Sequence, residues 1–243
     1  MKPCSRRYCS VFVVSFFYTF LLFAQPDNLS DKAYNYVLQS YGSDQKIVNG
    51  KFFIDKYLND IGHPFYPEKT FQNGEFTLHG NDYKRYKILY NVFEQTIVIQ
   101  YDDENGKLIS FQPPMEFISK FKINNLTFTR NDFLKLAPEY ISEIFKSSNF
   151  AFYFSLTKKK YESHHNISSL AYKYSNQIPS YFIVYKEESY KISNKKSFVN
   201  LFDKSIGKQV SRYMRKNDIK FPKSDLGEIL VLLDFVNGLI ENN

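Results

Sequence analysis

Cysteine is nearly missing from this chain: its 243 residues hold only Cys4 and Cys9. From position 10 onward that excludes disulfides, thiolate nucleophiles and Cys-ligated zinc or iron–sulfur centres. Tryptophan is absent, and nine Gly and nine Pro are too few for a fibrous or low-complexity chain. So little glycine leaves scant material for a phosphate cradle. There is no Gly-x-Gly-x-x-Gly, phosphate loop, Gly-x-Ser-x-Gly elbow or His-Glu-x-x-His. One long uncharged apolar run occurs, the 13 residues from Val11 to Phe23, which is short of the roughly 20 that a spanning helix needs. What is plentiful is aromatic: 20 Tyr and 25 Phe within 43% apolar residues. A chain that apolar buries a core rather than staying disordered.

Lys2, Arg6 and Arg7 precede the apolar run, and Leu22 and Ala24 stand before Gln25. A basic head, an apolar middle and a small residue at the end predict a secretory signal peptide over 1–24, cleaved near Ala24. The protein is then secreted or periplasmic, with a flexible leader over 25–45. Three basic and no acidic residues depart with the peptide, so the net charge falls from +7 to +4 over the remaining 219 residues. Both cysteines depart as well. Export without disulfides suits a bacterial envelope, and no cysteine follows the run to carry a lipid anchor. Asn28, Asn125 and Asn166 begin Asn-x-Ser/Thr triplets, which matter where the host glycosylates them.

Residues 46–193 read as sheet. Asn49-Gly50 lies between Ile47-Val48 and Phe52-Phe53-Ile54, a hairpin signal because a type I′ turn needs two positive φ angles. Asn73-Gly74 and Gly80-Asn81-Asp82 read as turns. Alternation predicts buried faces at Phe76 and Leu78, at Tyr86, Ile88 and Tyr90, and at Ile97, Ile99 and Tyr101. Leu108-Ile109, Phe111, Phe117-Ile118, Phe121, Ile123 and Phe128 continue the meander. Leu134 to Phe145 suggests a short helix interrupted by Pro138, and Phe150 to Leu156 a buried strand closed by Lys158-Lys159-Lys160. Tyr181 to Tyr185 and Tyr190 to Ile192 form a last hairpin. Residues 194–241 turn helical and pack on the same domain. Phe198, Leu201 and Phe202 follow a cap at Ser193 or Asn194; Ile206, Val210, Tyr213 and Met214 share a second face; Ile229, Leu230, Leu233, Val236 and Ile240 share a third after Ser224. Strands followed by helices predict an α+β fold: an antiparallel β-sandwich or partly open barrel meander with about three C-terminal amphipathic helices.

The succession Asn49-Gly50-Lys51-Phe52-Phe53-Ile54, Gly62-His63-Pro64-Phe65-Tyr66, Lys87-Ile88-Leu89-Tyr90-Asn91, Ile97-Val98-Ile99 and Phe117-Ile118-Ser119-Lys120-Phe121 carries a resemblance. With Tyr181-Phe182-Ile183, Lys195-Lys196-Ser197 and Tyr213 to Asn217, it resembles a family of uncharacterised secreted proteins common in Bacteroidota, over roughly residues 46–237. These motifs are turn and core residues, so the resemblance implies export and a β-rich fold but no activity. Relatives tend to carry Tyr-Asp where this chain has Tyr90-Asn91.

Catalytic signals are thin, and no catalytic residue, metal ligand or cofactor is assigned. His164 and His165 are adjacent, so an extended backbone turns them to opposite sides; polar neighbours suit a loop tip. His79 falls on the polar face of its strand. Asp102-Asp103-Glu104-Asn105-Gly106 fails as a calcium loop, because counting from Asp102 puts Lys107 at the sixth position and Pro113 at the twelfth. A hairpin turn explains it. His63 stands out: Gly62 frees the backbone and Pro64 extends His63. Its imidazole is expected to bond a backbone carbonyl, and His63, Phe65 and Tyr66 are the candidate binding residues. Basic runs at Lys158–Lys160, Lys195-Lys196 and Arg212–Lys216 are too modest for a nucleic-acid footprint. The first blunts a strand end, and the last rides a solvent face. The resulting expectation is an exported envelope or secreted binding or structural module, with an envelope protein or polysaccharide as partner and no membrane span after cleavage. The alternative is a carboxylate-dependent envelope hydrolase acting on glycan or peptide.

Overall fold

Alternating apolar residues from Phe76 onward build one antiparallel sheet, seen in a computed structural model that describes residues 50–102, 106–135, 137–163, 171–221 and 223–242. The signal peptide, the leader, Ile47 to Asn49, the acidic tip of the Asp102–Gly106 turn and His164 to Asn166 lie outside the described residues. The strands are β1 (Lys51–Phe52), β2 (Phe65–Tyr66), β3 (Gln72–Leu78), β4 (Asn81–Asn91), β5 (Thr96–Asp102), β6 (Leu108–Gln112), β7 (Ile118–Ile123), β8 (Leu126–Arg130), β9 (Tyr140–Lys146), β10 (Phe150–Thr157), β11 (Lys160–Ser163), β12 (Ala171–Tyr174), β13 (Ile178–Tyr185) and β14 (Glu188–Ile192). Twelve of them join in the order β1-β6-β5-β4-β3-β7-β8-β9-β10-β13-β14, with β2 added on β4. This sheet does not close on itself. β11 and β12 form a separate two-stranded sheet.

Turn chemistry sets the register. His79 and Gly80 both have positive φ, 50° and 79°, and link Leu78 to its partner Asn81, as a two-residue type I′ loop requires. Lys186 and Glu187 do the same at 52° and 65° between β13 and β14, without a glycine. Gly74 differs from its expected role as a turn. It lies within β3, where an added Cβ would meet the Lys122 carbonyl oxygen at 2.6 Å and Ile88 Cδ1 at 2.7 Å. Leu134 to Phe145 contains no described helix either. Pro138 leads instead into β9, and Leu134 packs with Ile141 and Phe182 in a small outer cluster. Tyr140, Ile141 and Ile144 are aromatic or β-branched, and such residues fit a strand flanked by β8 and β10.

Three helices follow: α1 (Lys195–Val199), α2 (Lys204–Lys216) and α3 (Leu226–Glu241). Asn194 caps α1 by accepting from Ser197 N–H, with Ser197 reciprocating. The cap of α3 is Asp225, whose carboxylate accepts from Glu228 N–H, rather than Ser224. Leu232, not Leu230, belongs to its buried face. Phe198, Phe202, Ile206, Val210, Met214, Ile229, Leu233 and Val236 join Phe152, Tyr181 and Ile183 in one core that extends to Ile88 and Ile97. The sheet curls over this core. Tyr90 of β4 meets Phe128 of β8 at 5.1 Å between ring centres although β3 and β7 intervene. Gln95, in the β4–β5 loop, donates to the Leu156 carbonyl of β10.

Both faces of β4 and β5 are covered. Ile88, Tyr90, Ile97 and Ile99 enter the main core, while Leu89 and Val98 enter an outer cluster with Tyr57, Phe65 and Tyr174. Val98 thus departs from simple alternation, because the 53–71 segment and β12 lie over it.

Candidate functional site

Gly62 adopts φ +76° and opens the turn that carries the predicted residues. His63 is half-buried, and its Nδ1 accepts from Phe65 N–H at 3.2 Å. That reverses the expected bond: the ring accepts from the backbone rather than donating to a carbonyl. The His63 carbonyl instead accepts from Lys158 Nζ at 2.6 Å. Burial, then the ammonium groups of Lys158 and Lys69, hold the imidazole below its ordinary 6.5. Lys158 is itself 9% exposed, and burial lowers its amine from 10.5. The first lysine of the triple run is therefore a buried brace for the turn and not a blunting charge. Phe65 has no exposed surface and packs edge-on against Tyr57 at 5.4 Å. Tyr66 packs on the main core through Phe128, and burial raises its hydroxyl. His63 stacks on Phe65 at 6.2 Å between ring centres, so these two share the outer cluster while Tyr66 turns to the main core.

A second group lies over the same outer cluster. Asn91 is 2% exposed. Its Nδ2 donates to the Tyr57 hydroxyl at 2.8 Å, and its Oδ1 accepts from Phe93 and Glu94 N–H. Asn91 thus fixes the corner that presents Phe93, 39% exposed, and Glu94, which pairs with Lys56 at 2.7 Å. Burial and then Glu94 raise the Tyr57 hydroxyl. Asp60 accepts from Tyr172 N–H at 3.1 Å, and Ile61 bridges Lys173 in parallel. The segment ahead of the turn therefore pins β12 to the body.

The β11–β12 hairpin has two unlike faces, because paired residues share a face and neighbours alternate. Lys160 pairs with Tyr174 and Glu162 with Tyr172 on the inner one. There Lys160 Nζ sits 3.5 Å from the Tyr172 ring centre and 6.0 Å from that of Phe93. Tyr174 packs on Tyr57 and Phe93, and its buried hydroxyl, pushed up to about 12 by burial, Asp60 and Glu94, has no partner among the described residues. Tyr161 pairs with Lys173 on the outer face, and Tyr161 is 51% exposed.

This arrangement offers aromatic faces, hydroxyls and charges in contact positions. Among the described residues no three His, Cys, Asp or Glu side chains converge on a metal position. The carboxyl of Asp82, on β4, lies elsewhere, in contact with Thr77 of β3 and Lys120 of β7; bonding from Thr77 and the charge of Lys120 lower it, the direction opposite to a general acid. Sequence reading singled out His63, Phe65 and Tyr66 and named Asn91 without a role, but missed Phe93, Asp60, Tyr172 and Tyr174. The available signal was the Tyr172-Lys173-Tyr174 alternation facing Lys160-Tyr161-Glu162. The molecule is an α+β protein on an open antiparallel sheet, and no described helix is long and apolar enough to cross a membrane. Comparison with family models, curated proteins and solved structures returns no match.

Proposed function

We propose that this chain is an exported, non-catalytic binding protein of a bacterial envelope, and that the β11–β12 hairpin with Phe93 is its contact element. Support for export comes from the basic head and apolar run before Ala24, and from the resemblance to secreted Bacteroidota proteins. Support for binding comes chiefly from one observation. The hairpin is a separate two-stranded sheet, braced by Asp60 and Ile61, that exposes Lys160, Tyr161 and Lys173 while Tyr174 anchors it on the outer cluster. A partly open barrel, rather than a sandwich, is the architecture that the Tyr90–Phe128 and Gln95–Leu156 contacts favour.

The purified protein is expected to co-sediment with isolated envelope material and leave it chemically unchanged, and Tyr161→Ala is expected to weaken retention without altering melting. Release of soluble sugar or peptide that stops in Asp60→Ala or Glu94→Ala would overturn this reading in favour of a carboxylate hydrolase.

A further inference from the structure

Among the described residues the outer face of the hairpin carries only positive charge, whereas the inner one carries both Lys160 and Glu162. Lys159 exchanges bonds with Ser175, its N–H donating to Ser175 Oγ and its carbonyl accepting from Ser175 N–H. The two-residue period then sets Lys159 beside Tyr161 and across from Ser175. Lys173 is directly opposite Tyr161, and the parallel bridge adds Ile61, 37% exposed, on the same side. The described residues of this face are Ile61, Lys159, Tyr161, Ser163, Lys173 and Ser175, with no acid among them. Glu162 faces the other way, and Asp60 is turned to Tyr172 N–H.

A single exposed phenol ring thus stands between two lysine positions, Lys173 directly across the ladder, about 5 Å away between Cβ atoms, and Lys159 two residues along the strand, about 7 Å away along the backbone. Aromatic faces take the apolar C–H faces of saturated sugar rings, and ammonium groups take their anionic substituents. We infer that the outer face of the β11–β12 hairpin binds an acidic sugar unit, carboxylated or sulfated, within an envelope polysaccharide. This rests on the reading of the hairpin as the contact element. A lipid surface fits less well, because a flat face cannot bury Tyr161 in the acyl region without desolvating both lysines. A nucleic-acid strand fits less well because it needs a groove that tracks several phosphates with several stacking rings.

Affinity gel electrophoresis with polygalacturonate and with dextran tests it, alongside a single-stranded oligonucleotide and phosphatidylglycerol vesicles. Polygalacturonate is expected to retard the protein and dextran not, with retardation falling as salt rises. Lys159→Ala and Lys173→Ala should each weaken that binding about threefold, and Tyr161→Ala roughly tenfold. Lys191→Ala, at an exposed position of β14, should leave binding unchanged. Equal retardation by dextran, full binding in the lysine variants, or binding only to oligonucleotide or vesicles would overturn the inference. Loss of envelope retention in Tyr161→Ala without any polygalacturonate binding would sink the acidic-sugar assignment alone and leave the contact element standing. Full retention would sink the contact element itself.

Discussion

Protonating His63 would place a hydrogen on the nitrogen that accepts from Phe65 N–H and add a charge near Lys158 and Lys69. Its ordinary 6.5 is lowered in the fold, so the unfolded chain takes up this proton first. Stability from His63 is therefore whole above about 6.5 and is lost as pH falls from there toward the folded value. Melting temperature followed from pH 8 to 5 should drop more steeply in the wild type than in His63→Asn, whose amide oxygen accepts the same N–H without titrating. Parallel curves would refute the assignment. His63→Ala loses the acceptor and should cost about 1 kcal/mol while envelope binding persists; unchanged melting with lost binding would reverse the roles. Ser155 presents the opposite case. It is fully buried in β10, and its hydroxyl has no partner among the described residues. Ser155→Ala removes that orphaned group and should raise stability by about 1 kcal/mol, read from urea midpoints at unchanged slope.

Elements carry the next set of consequences. Gly74 lets β3 approach β7 and Ile88 closely, so Gly74→Ala forces backbone or core apart and should cost about 2 kcal/mol in chemical denaturation. A neutral result would mean that the two strands separate freely. This glycine also shows where sequence reading fails. Asn-Gly is a turn signal only through its φ angles, and nothing in the dipeptide reveals a neighbouring strand that excludes a Cβ. The main-core face of β4 was legible at Tyr86, Ile88 and Tyr90, because alternation is a local property, whereas the burial of Leu89 on its other face depends on the outer cluster laid over it. The last hairpin was legible from its two apolar runs, although its loop is Lys186-Glu187 rather than Lys186 to Ser189, and the helix after Asn194 from its cap. The Leu134–Phe145 region was not, since only pairing with β8 and β10 decides between helix and strand there. The candidate site was less legible still. His63 was marked by its Gly and Pro neighbours, whereas Phe93, Asn91, Asp60 and Tyr172 come from three separate segments and meet through long-range packing.

At the scale of the whole molecule, cohesion has to come from the core. One continuous cluster runs from Ile88 in the curled sheet to Val236 in α3, and no cysteine follows Cys9. Sheet and helices share that cluster through Phe152, Tyr181, Phe198 and Phe221, so unfolding one uncovers the other. Denaturant unfolding should accordingly give coincident transitions by far-ultraviolet and tyrosine signals. If the proposed export signal is removed near Ala24, both thiols leave with it, and reductant should shift neither transition. The same proposal fixes the native terminus. Protein recovered from the producing cell's envelope or medium should start at or near Gln25, titrate no thiol and weigh less than the full 28.8 kDa chain. Recovery of a cytosolic form that begins at Met1 and titrates two thiols would remove the compartment on which the envelope partner depends, while leaving the architecture of residues 50–242 untouched.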